Sequence, residues 1–296
     1  PWDIKVSPNL PNPDCYLPNN GGYHDDSIDI QINVTYWTQD LQQVDAPGEG
    51  TTTVMSARVK LTDVSQFRTG FANKYPSKQA RHVNDMTKRF NAVMGIDGDY
   101  CLYHEQGIVV RNGQTLRMRP HKGRDELIVD ENGDFHLITR TTQAKWDEYI
   151  AGGGTVLHAF CFGPALVVDG VPLTNLDDVT IDNGKAKKAQ RMVIGQIGKL
   201  EYLILTNEGP ESTAPKSVGF DLVQMANLCV QFGLDNAYNL DGGSSSTIAL
   251  NNQKINSPSS HKNRMVGDCI WFATLVKEET WREKESVQTV EVEENK

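Results

Sequence analysis

The segment at residues 238–247 carries the densest set of groups that could do chemistry. It reads Tyr-Asn-Leu-Asp-Gly-Gly-Ser-Ser-Ser-Thr, so the carboxylate of Asp241 is followed by two glycines and three serines. Glycine permits positive φ angles and close approach of the backbone, and such a turn presents several N–H and hydroxyl donors in one concavity. The pattern favours a site for phosphate or sugar oxygens beside a carboxylate. An ordinary Asp-Gly hairpin with solvated serines explains the spacing equally well.

Two further carboxylates, Asp97 and Asp99, flank Gly98 directly after the apolar run at residues 92–96. Side chains at i and i+2 share one side of an extended strand and diverge in a turn, so a paired role stays open. The segment also resembles part of a calcium loop. It lacks the remaining acidic positions and the distal glutamate of an EF-hand, which argues against a calcium site.

Three more charged residues lie at predicted strand ends. Arg191 precedes the apolar run at residues 192–195, Glu208 ends the next strand, and Arg264 precedes the last one. An arginine at a strand entrance is usually solvated, but it can also hold an anion with two parallel hydrogen bonds. If these strand ends converge, the resulting site suits a neutral sugar attached to an anion.

The sequence lacks the signatures of several other chemistries. It has no GxSxG, P-loop or HExxH motif, and its seven histidines show no metal-ligand spacing. We therefore expect no cofactor, and the residues leave a bound divalent cation open. The five cysteines lie far apart without a CxxC pair, so we expect no disulfide framework. Cys161, Cys229 and Cys269 lie in apolar stretches, which is typical of small buried thiols.

Strands, hairpins and a few helices must position these groups. Alternating apolar and polar residues predict strands at residues 28–38 and 52–61, and the Asn-Gly pair at residues 112–113 predicts a hairpin. Apolar residues at helical spacing predict one helix capped by Ser77 and another capped by Ser217. We expect an α+β fold, with a mixed, largely antiparallel β-sheet and a few packed helices, in a single domain.

The chain of 296 residues is acidic, with a net charge of -9, and 38% of its residues are hydrophobic. This composition fits a globular protein with a substantial core and argues against a nucleic-acid partner. No apolar run is long enough for a transmembrane segment. We divide the chain into a proline-rich leader or tether at residues 1–27, one domain at residues 28–276, and an acidic tail at residues 277–296 that forms a frayed helix or linker.

Several blocks resemble, in the same order, signature segments of the phosphodiester glycosidase family. Residues 239–247 resemble its N-L-D-G-G-G-S-S-T segment, and residues 92–100 resemble its A-V-x-A-I-N-G-D-Y segment. Further blocks with counterparts in the family lie at residues 107–113, 162–167, 190–195 and 217–219 and at Asn256 and Arg264. Because several ordered blocks match, the resemblance is far more specific than the Asp-Gly-Gly turn alone.

The resemblance implies a hydrolase that cleaves the anomeric C–O bond of a sugar-1-phosphodiester and releases a free sugar and a phosphomonoester. The implied substrate is a phosphorylated glycan or a sugar-1-phosphodiester with an N-acetylglucosamine-like sugar. The implied location is extracellular or at the surface of a bacterial cell. The chemistry is close to glycoside hydrolysis, in which a carboxylate stabilises an oxocarbenium-like transition state.

The same resemblance implies roles for individual residues. Asp241 is the expected catalytic carboxylate, Glu208 or Asp99 the second acid, and Arg191 a cation that acts on the phosphate. The residues expected to bind substrate are Asp97, Ser217, Gly242, Gly243, Ser245, Ser246, Asn256 and Arg264.

The sequence departs from the family pattern at several site positions. Asp97 stands where the family usually has asparagine, Ser244 replaces a third glycine, and Cys101 replaces an aromatic or small residue. Pro210 follows Gly209 where the family usually has arginine. The last change removes one expected anion-binding side chain, so the sugar phosphodiester is a less secure expectation.

Two other functions stay open from the residues. The first is a phosphodiesterase that attacks phosphorus and releases a sugar phosphate, although metal-assisted versions need clustered histidine and aspartate ligands that the sequence does not show. The second is a non-catalytic module that binds glycans or cell wall. Retention of Asp241, Arg191 and Arg264 argues against the binding module.

Overall fold

Antiparallel strands make up most of the described chain. The computed structural model describes residues 6–174, 176, 187–212, 216–256 and 263–282. Its strands are β1 (Tyr16–Leu17), β2 (Gly22–His24), β3 (Ile28–Trp37), β4 (Gln43–Val44), β5 (Thr52–Leu61), β6 (Phe67–Phe71), β7 (Met94–Asp97), β8 (Gly107–Arg111), β9 (Gln114–Arg119), β10 (Glu126–Val129), β11 (Phe135–Ile138), β12 (His158–Phe160), β13 (Ala165–Val168), β14 (Val171–Pro172), β15 (Arg191–Gly198), β16 (Glu201–Asn207), β17 (Asn236–Asn239), β18 (Ile248–Leu250), β19 (Gln253–Lys254) and β20 (Asp268–Phe272). The α-helices with both ends described are α1 (Val83–Phe90), α2 (Gln143–Ala151) and α3 (Leu222–Gln231). Residues 279–282 are also helical. Short 3₁₀ turns lie at Pro13–Cys15, Pro18–Asn20, Val64–Gln66 and Gly243–Ser245.

The strands form three sheets. The largest has the order β1-β2-β3-β5-β16-β15-β17-β13-β14, with β4 beside β3. The second has the order β11-β10-β12-β8-β9, and the third β19-β18-β7-β20-β6. Each strand pair within these sheets is antiparallel, for example β15 with β16 and β7 with β18. The expected α+β class with largely antiparallel sheet is confirmed.

One apolar cluster joins the three sheets. It includes Ile194 from the first sheet, Phe160 from the second and Ile270 from the third, each fully buried. These strands present alternate apolar side chains to the common core because successive residues of a strand point to opposite faces. This common core holds the three sheets against one another.

The helices pack on the outer faces of the sheets. Both helices that were predicted start at other residues than expected, so the predicted N-caps Ser77 and Ser217 are wrong. Helix α1 begins at Val83 after His82, so Ser77 does not cap it. Helix α3 begins at Leu222, where Asp221 and Gln224 form a capping box in which each side chain accepts a backbone N–H of the other residue. Its apolar face packs on the first sheet in a second buried cluster.

The predicted hairpin at residues 112–113 is confirmed, with Arg111 paired to Gln114 and positive φ at both turn residues. At the amino-terminal side, residues assigned by composition to a leader instead contribute β1 and β2 to the edge of the first sheet. Most of the predicted acidic tail, residues 283–296, lies outside the described residues. No helix among the described residues is long and apolar enough to cross a membrane.

Candidate active site

A cavity of about 460 Å³ opens where strand ends of the first and third sheets meet. Its wall consists of residues 187–190 before β15, residues 209–211 after β16 and residues 241–244 after β17, completed by Tyr100, Phe162 and Arg264. The wall thus contains acidic groups, cationic groups and aromatic rings. This combination can bind a molecule with both an anionic part and an uncharged polar part.

The loop that carries Asp241 is fixed on two sides. The N–H of Asp241 donates to the carbonyl of Gly98 at 3.2 Å, and the N–H of Gly243 donates to the carbonyl of Gln190 at 2.9 Å. A Cβ at Gly242 would lie 2.9 Å from that same Gln190 oxygen, while Gly243 has a φ of +60°. Glycine is therefore needed at position 242 for close approach and is favoured at 243 by conformation. Asp241, 9% exposed, is held on the cavity wall.

Asp97 is buried beneath this loop and does not line the cavity. Its Oδ1 accepts the N–H of Thr247 at 2.8 Å, which ties β7 to the end of the loop. Burial first, and then the nearby Asp241, raise the pKa of Asp97 well above its ordinary value. The Asp97 carboxyl group therefore keeps its proton to a higher pH than an ordinary aspartate.

Asp99 turns away from Asp97 toward the second sheet. Its Oδ1 accepts hydrogen bonds from Nη2 of Arg111 at 3.0 Å and from the N–H of Cys101, and its Oδ2 accepts the N–H of Cys161. Burial opposes ionisation of Asp99, but Arg111 and the Cys161 N–H outweigh it and hold the pKa of Asp99 below its ordinary value. The two acids therefore form no pair, and Asp99 lies outside the cavity lining.

Asp268 completes the buried group around Arg111. Asp99, Cys101 and Asp268 place donor atoms within 4.8 Å of one another, and each contacts Nη2 of Arg111. Burial, followed by the charge of Asp99, raises the pKa of Asp268 to about 8. The guanidinium compensates the ionised Asp99, and the N–H of Asp99 donates to Oδ2 of Asp268, so this cluster fixes the turn after β7.

Arg191 is buried, and its guanidinium group donates hydrogen bonds to backbone carbonyls. Its Nη2 donates to the carbonyl of Lys187 at 2.6 Å, and its Nε donates to the carbonyl of Phe220 at 3.4 Å. Burial lowers the pKa of Arg191 to about 10, with Asp221 opposing the shift. Arg191 lies beside the cavity but outside its lining, and its phosphate contact stays a prediction.

Arg264 does line the cavity, together with Tyr100. Its guanidinium carbon lies 5.9 Å from the centroid of the Tyr100 ring, within the range of a cation–π contact. Tyr100 in turn stacks on Tyr103, with ring centroids 4.6 Å apart. The φ of Tyr100 is +59°, a conformation that costs a non-glycine residue about 1–3 kcal/mol. The contacts of Asp99 fix this turn and so hold Tyr100 beside Arg264.

Two further predicted residues, Ser217 and Asn256, do not line the cavity. Asn256 is buried and bridges Ile248 N–H and Ser246 carbonyl, and Ser217 accepts the N–H of Thr53. The predicted site residues outside the lining are Asp97, Asp99, Arg191, Glu208, Ser217, Ser245, Ser246 and Asn256, and those within it are Asp241, Gly242, Gly243 and Arg264.

Sequence reasoning did not single out Lys187, Lys188 or Glu211, which line the cavity. Ser244, noted only as a departure from the family pattern, is also part of the wall. These two adjacent lysines, separated from the Arg191 strand by Ala189 and Gln190, are the signal that could have indicated a second cationic segment. Glu211 follows Glu208 in the same turn, where only the fold determines which acid faces the cavity.

The sequence model of phosphodiester glycosidases matches residues 90–273, which is more than half of the chain. The chain belongs to the phosphodiester glycosidase family. The matched region contains β7, the Asp241 loop and Arg264. The residues that form the cavity wall therefore lie within the part of the chain that matches the family. A search of curated proteins finds no match for the chain.

Solved structures show the same fold at low sequence identity. The catalytic domain of zebrafish N-acetylglucosamine-1-phosphodiester alpha-N-acetylglucosaminidase, auto-inhibited by its pro-peptide, matches with a TM-score of 0.64 and 14% identity over 86% of each chain. A hypothetical protein from Synechocystis matches with a TM-score of 0.54 and 13% identity over 83% of this chain and 62% of that one. A putative exported protein from Burkholderia pseudomallei K96243 matches with a TM-score of 0.51 and 15% identity over 77% and 75%.

Proposed function

We propose that this protein hydrolyses a sugar-1-phosphodiester at the anomeric C–O bond and releases a free sugar and a phosphomonoester. The observation that carries the proposal is the placement of Asp241 and Arg264 in the wall of one cavity. A carboxylate and a guanidinium there suit a substrate whose sugar becomes cationic while its phosphate leaves as an anion. Family membership supports the reaction class.

Asp241 supplies the carboxylate in this proposal. The transition state of glycoside cleavage has oxocarbenium character, and a carboxylate stabilises it either as nucleophile or as the base that activates water. Burial and the charge of Asp241 raise the pKa of the neighbouring Asp97, which disfavours a second negative charge beside Asp241. The mostly buried position of Asp241 strengthens its electrostatic effect because the local dielectric is low.

Arg264 supplies charge neutralisation for the leaving phosphate. A phosphate ester is a weakly basic leaving group, so its departure depends more on a preorganised cation than on protonation. Neither Glu208 nor Asp99 lines the cavity, and the proposed reaction needs no general acid. Ser244 adds a hydroxyl group to the wall beside Asp241.

The sugar and the location are proposed from the relatives. The zebrafish structure is that of an enzyme named for N-acetylglucosamine-1-phosphodiesters, so we propose an N-acetylglucosamine-like sugar. The Burkholderia structure is described as an exported protein, which supports a location outside the cytoplasm or at the cell surface.

A panel of methyl phosphodiesters of N-acetylglucosamine, glucose, galactose and mannose tests the proposed function. We expect free sugar and methyl phosphate in equal amounts from at least one of them, and release of both at least ~10²-fold slower with the Asp241→Asn variant. Release of a sugar phosphate with methanol would instead indicate attack on phosphorus. Saturable binding of a diester without any turnover would indicate a glycan-binding module.

A further inference from the structure

Two adjacent lysines line the cavity, but only one has its ammonium group held elsewhere. Nζ of Lys188 donates to Oε1 of Gln224 at 2.6 Å and lies 3.9 Å from Oδ2 of Asp221, so it is held at the start of α3. Lys187 is exposed and forms no ion pair with a described residue. The ammonium of Lys187 is therefore available to a ligand in the cavity.

The backbone of Lys187 is fixed relative to the Asp241 loop. Arg191 holds the Lys187 carbonyl at 2.6 Å, and Ala189 forms both hydrogen bonds of a β-bridge with Phe220. One residue further on, the carbonyl of Gln190 accepts the N–H of Gly243. The segment that carries Lys187 is therefore attached to two neighbours. One is the loop before α3, through Phe220, and the other is the loop that carries Asp241, through Gly243.

The other candidates for a second cation in the cavity are unsuitable. Pro210, at the position where the family pattern has arginine, carries no charge. Arg191 is 5% exposed and directs its guanidinium to backbone carbonyls. Among the described lining residues, Lys187 and Arg264 are the cations whose charged groups are not held by a neighbouring acid.

We propose that Lys187 is the second cation of the phosphate subsite, together with Arg264, and that Arg191 positions Lys187 instead of contacting the phosphate. The identity of the anion rests on the proposed function. An ammonium is a compact point charge that accepts several phosphate orientations. Lys187 therefore sets affinity for the phosphate part of the substrate and leaves the choice of sugar to the rest of the cavity.

Methyl phosphate is a suitable probe because it tests the anion subsite independently of the sugar. We expect ³¹P NMR titration of the full chain to show saturable binding. Substitution Lys187→Gln should raise Kd roughly tenfold, the effect of losing one hydrogen bond between charged groups. Substitution Lys188→Gln removes the same charge from the adjacent residue. It should change Kd by less than about threefold, because the Lys188 ammonium is held by Gln224 and Asp221 and surface charges act weakly at a distance.

The role of Arg191 is tested by a double-mutant cycle. If Arg191 acts through Lys187, Arg191→Met should weaken methyl phosphate binding, and adding Lys187→Gln should weaken it by less than about threefold further. Independent contacts to the phosphate would instead give additive losses. If Arg191→Met does not fold, the comparison of the two lysine variants decides the proposal alone.

The outcomes separate this inference from the proposed function. Methyl phosphate binding that depends on Lys187, without turnover of any sugar phosphodiester, would support the subsite and contradict the hydrolase. Turnover with equal Kd values for Lys187→Gln and Lys188→Gln would support the hydrolase and overturn the inference. Absence of saturable methyl phosphate binding to the unsubstituted chain would also overturn it.

Discussion

The backbone N–H of Asp241 donates to the carbonyl oxygen of Gly98 at 3.2 Å. This hydrogen bond joins the loop after β17, in the ten-stranded sheet, to the loop after β7, in a five-stranded sheet. The proposed catalytic carboxylate is therefore held by a junction between sheets. Changes in either loop should affect catalysis through the position of Asp241.

Asp241 itself is the first test of this site. Substitution Asp241→Asn preserves the size of the side chain and removes its charge, so we expect turnover of the preferred phosphodiester to fall at least ~10²-fold, typical of losing a general base. The melting temperature should change little. Asp235→Asn, which removes an exposed carboxylate outside the cavity, is the matched control and should keep full activity. Equal activity of the two variants would contradict the assignment.

The two glycines of the loop should respond differently to alanine. At Gly242 a Cβ would lie 2.9 Å from the Gln190 carbonyl oxygen, so the loop must shift, and a shift of about 1 Å can cost ~10²-fold in rate. At Gly243 no described atom lies within 4 Å of a Cβ, and the penalty comes from the positive φ, about 1–2 kcal/mol. We predict that Gly242→Ala lowers kcat far more than Gly243→Ala. Urea unfolding of Gly243→Ala should show a free energy of unfolding lower by about 1–2 kcal/mol. The reverse order of kcat values would be inconsistent with this geometry.

The position of the Arg264 guanidinium group should depend on the aromatic ring of Tyr100. Since the contact uses the ring face, Tyr100→Phe should leave KM for the phosphodiester close to its original value. Tyr100→Leu removes the ring, and we expect KM to rise between about twofold and thirtyfold, the range of a cation–π contact. Steady-state kinetics of both variants test this. Loss of activity in Tyr100→Phe would instead indicate a role for the hydroxyl group.

Asp268 should make stability fall as pH rises. Its pKa is about 8 in the folded protein and about 3.9 when unfolded, so between these values the folded state binds more protons than the unfolded state. The free energy of unfolding therefore decreases toward pH 8, by up to about 1.4 kcal/mol per pH unit from this group. The lowered pKa of Asp99 acts in the opposite direction, but only below about pH 4.

Substitution Asp268→Asn should remove that contribution. Urea unfolding at pH 5, 6, 7 and 8 should give a shallower decline for the variant than for the unsubstituted chain. Other buried acids with raised pKa values, such as Asp97 and Glu126, give a decline in the same direction, so some slope remains. Identical slopes for the two proteins would show that Asp268 does not take up the proton.

Local sequence patterns predicted the strands and hairpins better than the ends of the helices. The alternation at residues 52–61 and the Asn-Gly turn at 112–113 each contain their own structural signal, and both match the structure. Ser77 and Ser217 are good capping residues by type, but tertiary packing starts the helices later, at Val83 and Leu222. Helix α2, with Thr142 as its cap, was not predicted.

For the site as well, local motifs could be predicted from the sequence and long-range contacts could not. Asp241, Gly242 and Gly243 lie within one contiguous motif, so the sequence could indicate that they share a site. The partners of Asp99 and Arg191 are distant in sequence or are backbone carbonyls, so residue type alone could not show that both side chains point away from the cavity. These long-range contacts come from how the sheets pack, which the sequence pattern does not specify.

Hydrolysis in ¹⁸O-water tests the central claim most directly. The protein would be incubated with the preferred sugar-1-phosphodiester, and the phosphomonoester would be examined by ³¹P NMR, in which ¹⁸O bonded to phosphorus shifts the signal. Attack at the anomeric carbon predicts an unlabelled phosphomonoester and ¹⁸O in the sugar. A labelled phosphate product would contradict a phosphodiester glycosidase and show that water attacks phosphorus.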